Sequence, residues 1–304
     1  MNIIKLDPNF SITRMIPIRK PCIVNKSEDK FESVLFLPEV EGRKGEGEGG
    51  LRTKGYYKKS YEDKPLISII TVVYNGEKYL EKTIQSVLNQ TYDNVEYIII
   101  DGGSTDGTVD IIRKYENNID YWVSERDKGI SDAFNKGIML AKGDIIGIIN
   151  ADDWYEKDAV QLVVRAFKSS AETQIVCGKM NFFDQTKSTL MESFPKRLWM
   201  GMSVAHPTTF IKKEVYASIG LYDVNLKFAM DYAFLLKSYY QSIEIFALDH
   251  TIANMRSGGA ANSNRLLTYN EVIHISKPYK NYVFIAVYYS FKKLLWYFIL
   301  RYKN

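Results

Sequence analysis

The residues best equipped for chemistry are Asn150-Ala151-Asp152-Asp153, because two adjacent carboxylates follow the apolar run Ile145-Ile146-Gly147-Ile148-Ile149. That run reads as a buried strand. In open α/β sheets, ligands bind beyond the carboxyl ends of the strands. Oxygen ligands at such an edge suit a hard divalent ion, Mg²⁺ or Mn²⁺, that also holds a diphosphate. The competing explanation is a helix start near Glu156 capped by Asp153. Three further strand ends carry polar chemistry. The first is Val73-Tyr74-Asn75-Gly76, and the second Ile100-Asp101-Gly102-Gly103-Ser104-Thr105-Asp106-Gly107. The third runs from Glu125-Arg126-Asp127-Lys128-Gly129 through Asp132 to Gly137. Asp101 can accept from a base imide or a ribose hydroxyl, and Tyr74 offers a ring for stacking. An Asx-turn for Asp101 and a half-buried core ring for Tyr74 are the structural alternatives. Four polar strand ends at one edge exceed what capping alone requires.

Alternating elements must position these groups. Leu66 to Tyr74, Val95 to Ile100, a short Tyr121-Trp122-Val123 and Ile145 to Ile149 read as buried strands. Helical spacing follows each: Leu80, Ile84, Val87 and Leu88 within residues 77–89, Val109, Ile111 and Ile112, residues 131–141, and residues 158–169. Strand and helix alternating four times predict an α/β fold, with a mostly parallel sheet covered on both faces. Beyond Ser170 the pattern loosens into strands near 174–177 and 208–211 with helices between, a half assigned to the second substrate. Residues 1–64 differ from the rest. Their Gly-rich charged stretch at 41–50 predicts a flexible surface loop, and it fits neither a dinucleotide fingerprint nor a P-loop. Val34-Leu35-Phe36-Leu37 could form a strand packed on the main body.

Taken in order, Tyr74-Asn75-Gly76, Asp101 through Thr108, Asp127-Lys128-Gly129 through Asp132-Ala133-Phe134-Asn135-Lys136-Gly137, and Asn150-Ala151-Asp152-Asp153 resemble the signature of family 2 glycosyltransferases. The resemblance covers roughly residues 65 to 260 and implies the GT-A fold, a Rossmann-like sheet flanked by helices. It implies a nucleotide-sugar half (65–155) and an acceptor half (156–260), between an N-terminal extension (1–64) and a C-terminal helical tail (261–304). By that resemblance Tyr74 and Asp101 contact the nucleobase of a sugar nucleotide, with a UDP-sugar favoured. Asp127 and Asp132 line the donor pocket, while Asn135 packs its helix. The family's Asp-x-Asp metal motif stands here as Asn150-Ala151-Asp152, which makes Asp152 first choice for Mg²⁺ or Mn²⁺ and Asp153 second. Phe228-Ala229-Met230-Asp231 resembles the acidic motif that supplies the catalytic base, Asp231, although a helix N-cap uses the same residue. His206, before Pro207-Thr208-Thr209-Phe210, is either a phosphate or metal contact or a hydrogen-bonded structural residue. Arg256-Ser257-Gly258-Gly259-Ala260-Ala261-Asn262 resembles a mobile donor-covering loop in which Arg256 holds a phosphate oxygen. The implied reaction is an inverting displacement. A nucleotidyltransferase would need a Gly-rich basic loop after the first strand, which Tyr74-Asn75-Gly76-Glu77 does not supply. The rival from another class is a non-catalytic assembly subunit that keeps the fold.

Composition narrows the partners. The chain has 304 residues and a formal charge of +4, too mild for a nucleic-acid binder, with no basic-aromatic array. Cys22 and Cys177 lie far apart, as reduced thiols of a cytosolic protein do. Residues 1–8 contain no apolar core of a cleaved signal. From Lys280 to Asn304 there is no acid, while Lys280, Lys292, Lys293, Arg301 and Lys303 are interleaved with aromatics. A bilayer span there would place Lys292 and Lys293 mid-membrane at roughly 5–7 kcal/mol together, which about ten apolar residues at best offset. The tail is therefore expected to lie along a membrane surface or to dock on protein. The resulting expectation is a peripheral protein at the inner face of the plasma membrane. Its acceptor would be a saccharide carried on a polyprenyl diphosphate, in surface polysaccharide assembly.

Overall fold

The computed structural model describes residues 16–17, 47–184, 187–258 and 264–302. In chain order the strands are β1 (Ile16–Pro17), β2 (Glu48–Gly49), β3 (Tyr56–Tyr57), β4 (Ile67–Val73), β5 (Val95–Asp101), β6 (Tyr121–Ser124) and β7 (Ile145–Asn150). They continue as β8 (Trp154–Tyr155), β9 (Ile175–Phe183), β10 (Ser188–Met191), β11 (Phe210–Lys212) and β12 (Ile245–Arg256). The helices are α1 (Leu80–Leu88), α2 (Thr108–Lys114), α3 (Ile130–Leu140), α4 (Ala159–Ser169), α5 (Lys213–Ile219) and α6 (Met230–Tyr240), then Arg265–Ser276 and Tyr282–Tyr302.

The four expected strands form the parallel centre of a ten-stranded sheet ordered β2-β6-β5-β4-β7-β11-β9-β12-β8, with β10 beside β9. Every residue of β4 and β5 is buried, which explains why most are β-branched, with Ser68 and Glu96 as buried polar exceptions: each face has its own core. Ile67 and Ile69 pack toward α1 and α4, while Ile70 and Val72 pack toward α3. Parallel β4, β5 and β7 all release the chain at one edge, so Tyr74, Gly102 and Ala151 emerge side by side. Strands β9 and β11 match the expected positions. Strand β12 was not foreseen, because Asp249, His250 and Thr251 interrupt its apolar character and its parallel register with β9 slips between Ala247 and Ala253.

The N-terminal stretch departs from expectation. Residues 41–46 and Val34–Leu37 lie outside the described residues, as does Cys22. Glu48 and Gly49, however, form an edge strand against Val123 and Trp122 rather than a surface loop. Strand β1 pairs with β3. Arg52 is 1 % exposed, forms an ion pair with Glu96 of β5 and donates to the Leu140 carbonyl at 2.8 Å. Lys58 pairs with buried Asp120 at 2.8 Å. These contacts make residues 47–64 part of the packed body.

The last helix, Tyr282–Tyr302, is docked by Ile285 and Tyr289 against Ala229, Tyr232, Leu236 and Val272. Its other face leaves Val283, Phe284, Val287, Phe291, Leu294 and Leu295 exposed. Among the described residues, no helix is long and apolar enough to cross a membrane.

Candidate functional site

A cleft of about 770 Å³ opens at the carboxyl edge of β4, β5 and β7. Its walls include Tyr74, Asn75, Tyr79, Gly102, Arg126, Asp127, Ala151 and Asp152. Two loops build the floor and are bonded to each other. The Asn75 N–H donates to Ser104 Oγ at 2.7 Å, the Gly76 N–H to Thr108 Oγ1 at 2.8 Å and the Glu77 N–H to Asp106 Oδ2 at 3.1 Å. In return the Thr105 N–H donates to Asn75 Oδ1 at 2.9 Å and the Gly107 N–H to Glu77 Oε2 at 3.1 Å. Asn75 takes a left-handed φ of 50° to make this exchange, a conformation that Asn tolerates better than most residues. Tyr74 leaves the sheet with 66 % of its surface exposed, so its ring is free to stack.

At the β7 side, Asp152 is the carboxylate on the wall. Burial raises its pKa, partly opposed by its own backbone N–H and by Arg256. Asp153 stands behind the wall, only 1 % exposed. Its Oδ1 accepts the Arg256 N–H at 3.1 Å, and its Oδ2 has no donor. Burial, and then the neighbouring Asp152 charge, push Asp153 well above the ordinary carboxylate range. The Asn150 side-chain oxygen is also buried without a donor. One wall carboxylate beside acceptor-rich backing suits a divalent ion that takes its remaining oxygens from phosphate and water. Among the described residues, no three His, Cys, Asp or Glu side chains cluster as a self-sufficient metal cage. Arg256 reaches the same side, its guanidinium 4.4 Å from the Tyr79 ring centroid and 4.8 Å from that of Trp154. Lys82 lies 3.2 Å over Trp154. Residues 259–262 of the expected covering loop lie outside the described residues.

At the β5 side the acids divide by environment. Asp101 is fully buried. Its Oδ1 accepts from Ser104 Oγ at 2.5 Å, and its Oδ2 from the Gly103 and Ser104 N–H groups at 3.2 and 3.0 Å and from Ser124 Oγ at 2.5 Å. It therefore stands behind the cleft and holds the β5–α2 loop in shape. Asp127 is on the wall, with Oδ1 accepting the Gly129 N–H at 2.8 Å. Burial raises its pKa, which the Gly129 N–H and Lys136 oppose. Asp132 accepts the Lys128 N–H at 3.0 Å and lies 3.8 Å from Lys136; it braces the turn into α3 and does not line the cleft. Asn135 exchanges two 2.9 Å bonds with the Tyr222 backbone, a packing role as expected.

The acceptor-side candidates His206 and Asp231 lie near each other, and neither is among the residues that line the cleft. Ala133 of α3 lines the cleft, while the next residue, Phe134, stacks on His206 with ring centroids 5.2 Å apart. His206 and Asp231 sense each other electrostatically. Burial lowers the His206 pKa, which Asp231 opposes, so the imidazole is neutral at pH 7. Burial raises the Asp231 pKa, and His206 opposes it. Asp231 sits in the first turn of α6 and accepts the Tyr232 N–H at 2.7 Å. Just before it, Glu271 accepts the N–H groups of Lys227, Phe228 and Ala229, each at 2.9 Å. Glu271 carries no local sequence signal, since its partners lie more than forty residues away. Tyr79, Gly102 and Arg126 are likewise wall residues that sequence reasoning did not single out. Gly102 had the clearest cue, a glycine pair directly after a strand-ending acid.

Comparison with known proteins agrees with this geometry. A family described as Glycosyl transferase family 2 matches residues 68–220, about half of the chain. An uncharacterised glycosyltransferase of Mycobacterium tuberculosis is 32 % identical over 180 residues, covering 57 % of this chain and 69 % of that protein. Chondroitin synthase of Escherichia coli is 39 % identical over 106 residues, which are 34 % of this chain and 16 % of the synthase. Among solved structures, S. aureus TarS in complex with UDP-GlcNAc superposes with a TM-score of 0.58 at 20 % identity, over 69 % of this chain and 65 % of that one. A mannosyltransferase of Pyrobaculum calidifontis in complex with GDP-Man and Mn²⁺ gives 0.57 at 16 % identity, over 71 % and 64 %. The chain thus spans less than two thirds of these structural neighbours. The matched span runs from the first parallel strand through α5 and carries the whole cleft wall, and on that ground this chain belongs to glycosyl transferase family 2, with the GT-A fold.

Proposed function

We propose that this chain is an inverting glycosyltransferase that moves a sugar from a UDP-linked donor to a hydroxyl of a saccharide acceptor carried on a lipid diphosphate, in surface polysaccharide assembly. One observation carries the proposal. A single cleft has an exposed aromatic ring and a carboxylate at its β5 side and a second carboxylate at its β7 side. The ring suits a base, and the β7 carboxylate suits a cation on the diphosphate. Bound there, Mg²⁺ or Mn²⁺ supplies a Lewis acid that offsets charge on the departing nucleoside diphosphate. Asp152 would hold it, with Asp153 and Asn150 behind. Arg256, on the same side, supplies a fixed positive charge for phosphate oxygens.

Asp231 is assigned as the general base. A carboxylate with a raised pKa is a better proton acceptor than an ordinary one, and neutral His206 beside it leaves the proton with Asp231. Glu271 fixes the backbone from which Asp231 projects. Attack by the acceptor oxygen opposite the departing diphosphate, in one displacement, inverts the anomeric carbon. The exposed apolar face of the last helix, with Lys292 and Lys293 on the same helix, suits an anionic membrane surface where a lipid-borne acceptor resides.

The test is a panel of UDP- and GDP-sugars assayed for donor hydrolysis and transfer with Mn²⁺. Turnover of a UDP-sugar that vanishes on chelation is expected. Absence of turnover and of binding for every nucleotide sugar would refute the assignment.

A further inference from the structure

Resting on the membrane reading of the last helix given above, we infer that the turn from Phe194 to Met202 is a second membrane-inserting element. It and the last helix dock together on an anionic lipid bilayer. The turn is built to hold apolar side chains outward. Leu198 is fully buried and belongs to the same core as Val204, Met230 and Phe234, while Phe194, Met200 and Met202 are 42 %, 37 % and 37 % exposed. Its two ends are tied together. The Phe194 N–H donates to the Ser203 carbonyl at 2.7 Å, and Ser203 Oγ donates to the Phe194 carbonyl at 2.8 Å. Ser193 Oγ closes the neck, donating to the Gly178 carbonyl at 2.8 Å and accepting the Ala205 N–H at 3.2 Å. Three large apolar side chains on a turn held this firmly have no route back into the core.

The turn and the last helix share one surface. Trp199 packs against Phe284 with ring centroids 5.5 Å apart. Gly201 lies so close to the helix that a Cβ there would strike the Tyr289 hydroxyl. From Phe284 the exposed stripe continues through Val287, Tyr288, Phe291, Leu294 and Leu295, at the spacing of one helix face. Ile285 and Tyr289, on the opposite face, hold the helix to the body. Stripe and turn are thus adjoining parts of one apolar patch, the kind that marks an interaction surface.

Charge names the occupant. There is no Asp or Glu between Ser193 and Lys213, and none from Val272 to Asn304. Lys196 and Arg197 are exposed on the turn, with Arg197 4.8 Å over the Phe194 ring. Lys292 lies 4.6 Å over the Tyr288 ring. Glu192, the acid just before the turn, is paired with Lys179 at 3.0 Å. Aromatic and apolar groups flanked by cations complement anionic headgroups above a hydrocarbon edge. A second copy of this chain fits less well, because an isologous contact sets the same patch, and so the same cations, against itself. The turn also packs on α6, whose first turn carries Asp231. Two points of attachment fix an orientation that a single helix, free to roll on the surface, does not. They hold the acceptor side of the protein toward the bilayer, where a lipid-borne hydroxyl is confined.

Cosedimentation of the full chain with vesicles of phosphatidylglycerol and phosphatidylcholine, and of phosphatidylcholine alone, tests this. Wild type should bind the anionic vesicles, release from them as salt rises, and bind phosphatidylcholine alone weakly. Met200→Asp combined with Met202→Asp should lower partitioning roughly tenfold or more, the value of withdrawing one large apolar side chain from hydrocarbon. Nucleotide-sugar hydrolysis by that variant should stay at the wild-type level, which also shows that it folds. Lys196→Glu combined with Arg197→Glu should reduce the preference for phosphatidylglycerol. Wild-type partitioning in both turn variants, with binding lost when Val287, Phe291 and Leu295 are replaced by Ser, overturns insertion of the turn and leaves the last helix as the sole anchor. A wild type that ignores anionic vesicles, or that forms a dimer which the turn substitutions dissociate, overturns the docking surface altogether. Donor hydrolysis is read separately, so failure of the transferase assignment and failure of this surface are distinct results.

Discussion

Replacing Arg52 by Met removes the cationic half of a buried ion pair while keeping most of the side-chain volume. Arg52 and Glu96 are 1 % and 2 % exposed at the side chain. Glu96 keeps only Ser68 Oγ at 2.6 Å and the Lys142 N–H at 2.8 Å once the guanidinium is gone. The Leu140 carbonyl also loses its Arg52 donor. Breaking a buried pair from one side costs about 3–5 kcal/mol, a large share of a typical net stability of ~5–15 kcal/mol. The pH dependence has a definite sign. Burial alone would raise the Glu96 pKa, but Arg52, the Lys142 N–H and Ser68 bring it below the ordinary value. That stabilisation is present above the unfolded-chain pKa and lost as pH falls through the folded one. In the Met variant burial acts with less opposition, so Glu96 protonates more readily and the penalty shrinks in acid. Urea unfolding at pH 7 and pH 4.5 should therefore show a wide gap between the proteins that narrows at the lower pH. Glu96→Gln added to Arg52→Met should recover much of the loss. A penalty below about 1 kcal/mol at pH 7, or a gap that widens in acid, would refute the reasoning. The same logic says that a chain begun at Pro65 leaves Glu96 and Asp120 without their cations.

Asp152→Asn is expected to lower Mn²⁺-dependent donor turnover by roughly a hundredfold or more, measured as nucleotide release; wild-type turnover would remove Asp152 from the site. For Asp231, kcat/KM should rise with pH through a value above the ordinary Asp range, because the raised pKa keeps the base protonated in mild acid. Asp231→Asn should lower kcat by roughly 10²–10⁴ and abolish that rise while nucleotide affinity holds. Glu271→Ala frees three backbone donors ahead of α6 and should cost ~1–3 kcal/mol in urea unfolding, with kcat falling more than donor affinity. Serine at Val287, Phe291 and Leu295, all exposed, should reduce cosedimentation with anionic vesicles. Truncation at Lys280 is the poorer test, since it strips Ile285 and Tyr289 from the core around Tyr232.

The legible and illegible parts of this chain divide by how local their causes are. Strands β4, β5 and β7 were readable because burial on both faces favours a dense run of β-branched apolar residues, despite Ser68 and Glu96. Asp152 and Tyr74 were readable because a polar or aromatic residue directly after such a strand must face the ligand edge. Strand β12 was not, since Asp249 to Thr251 sit at an irregular register that only pairing with β9 explains. Edge strand β2 hid in a Gly-rich stretch because its partner, β6, lies some seventy residues on. The acids illustrate the same boundary. Asp101 and Asp127 look alike as letters after strands, yet Ser104 and Ser124 consume one and leave the other open. Glu271 contributes entirely through non-local contacts, so no motif betrays it.

The two loops under the cleft exchange six hydrogen bonds that involve a side chain, with Asn75 and Glu77 each giving and receiving. Such mutual lacing makes them behave as one rigid plate. Grafting either segment alone from a homologue with different donor taste should produce a floor that fits neither parent. Swapping residues 74–77 together with 101–108, by contrast, transplants the plate whole and keeps its internal bonds intact.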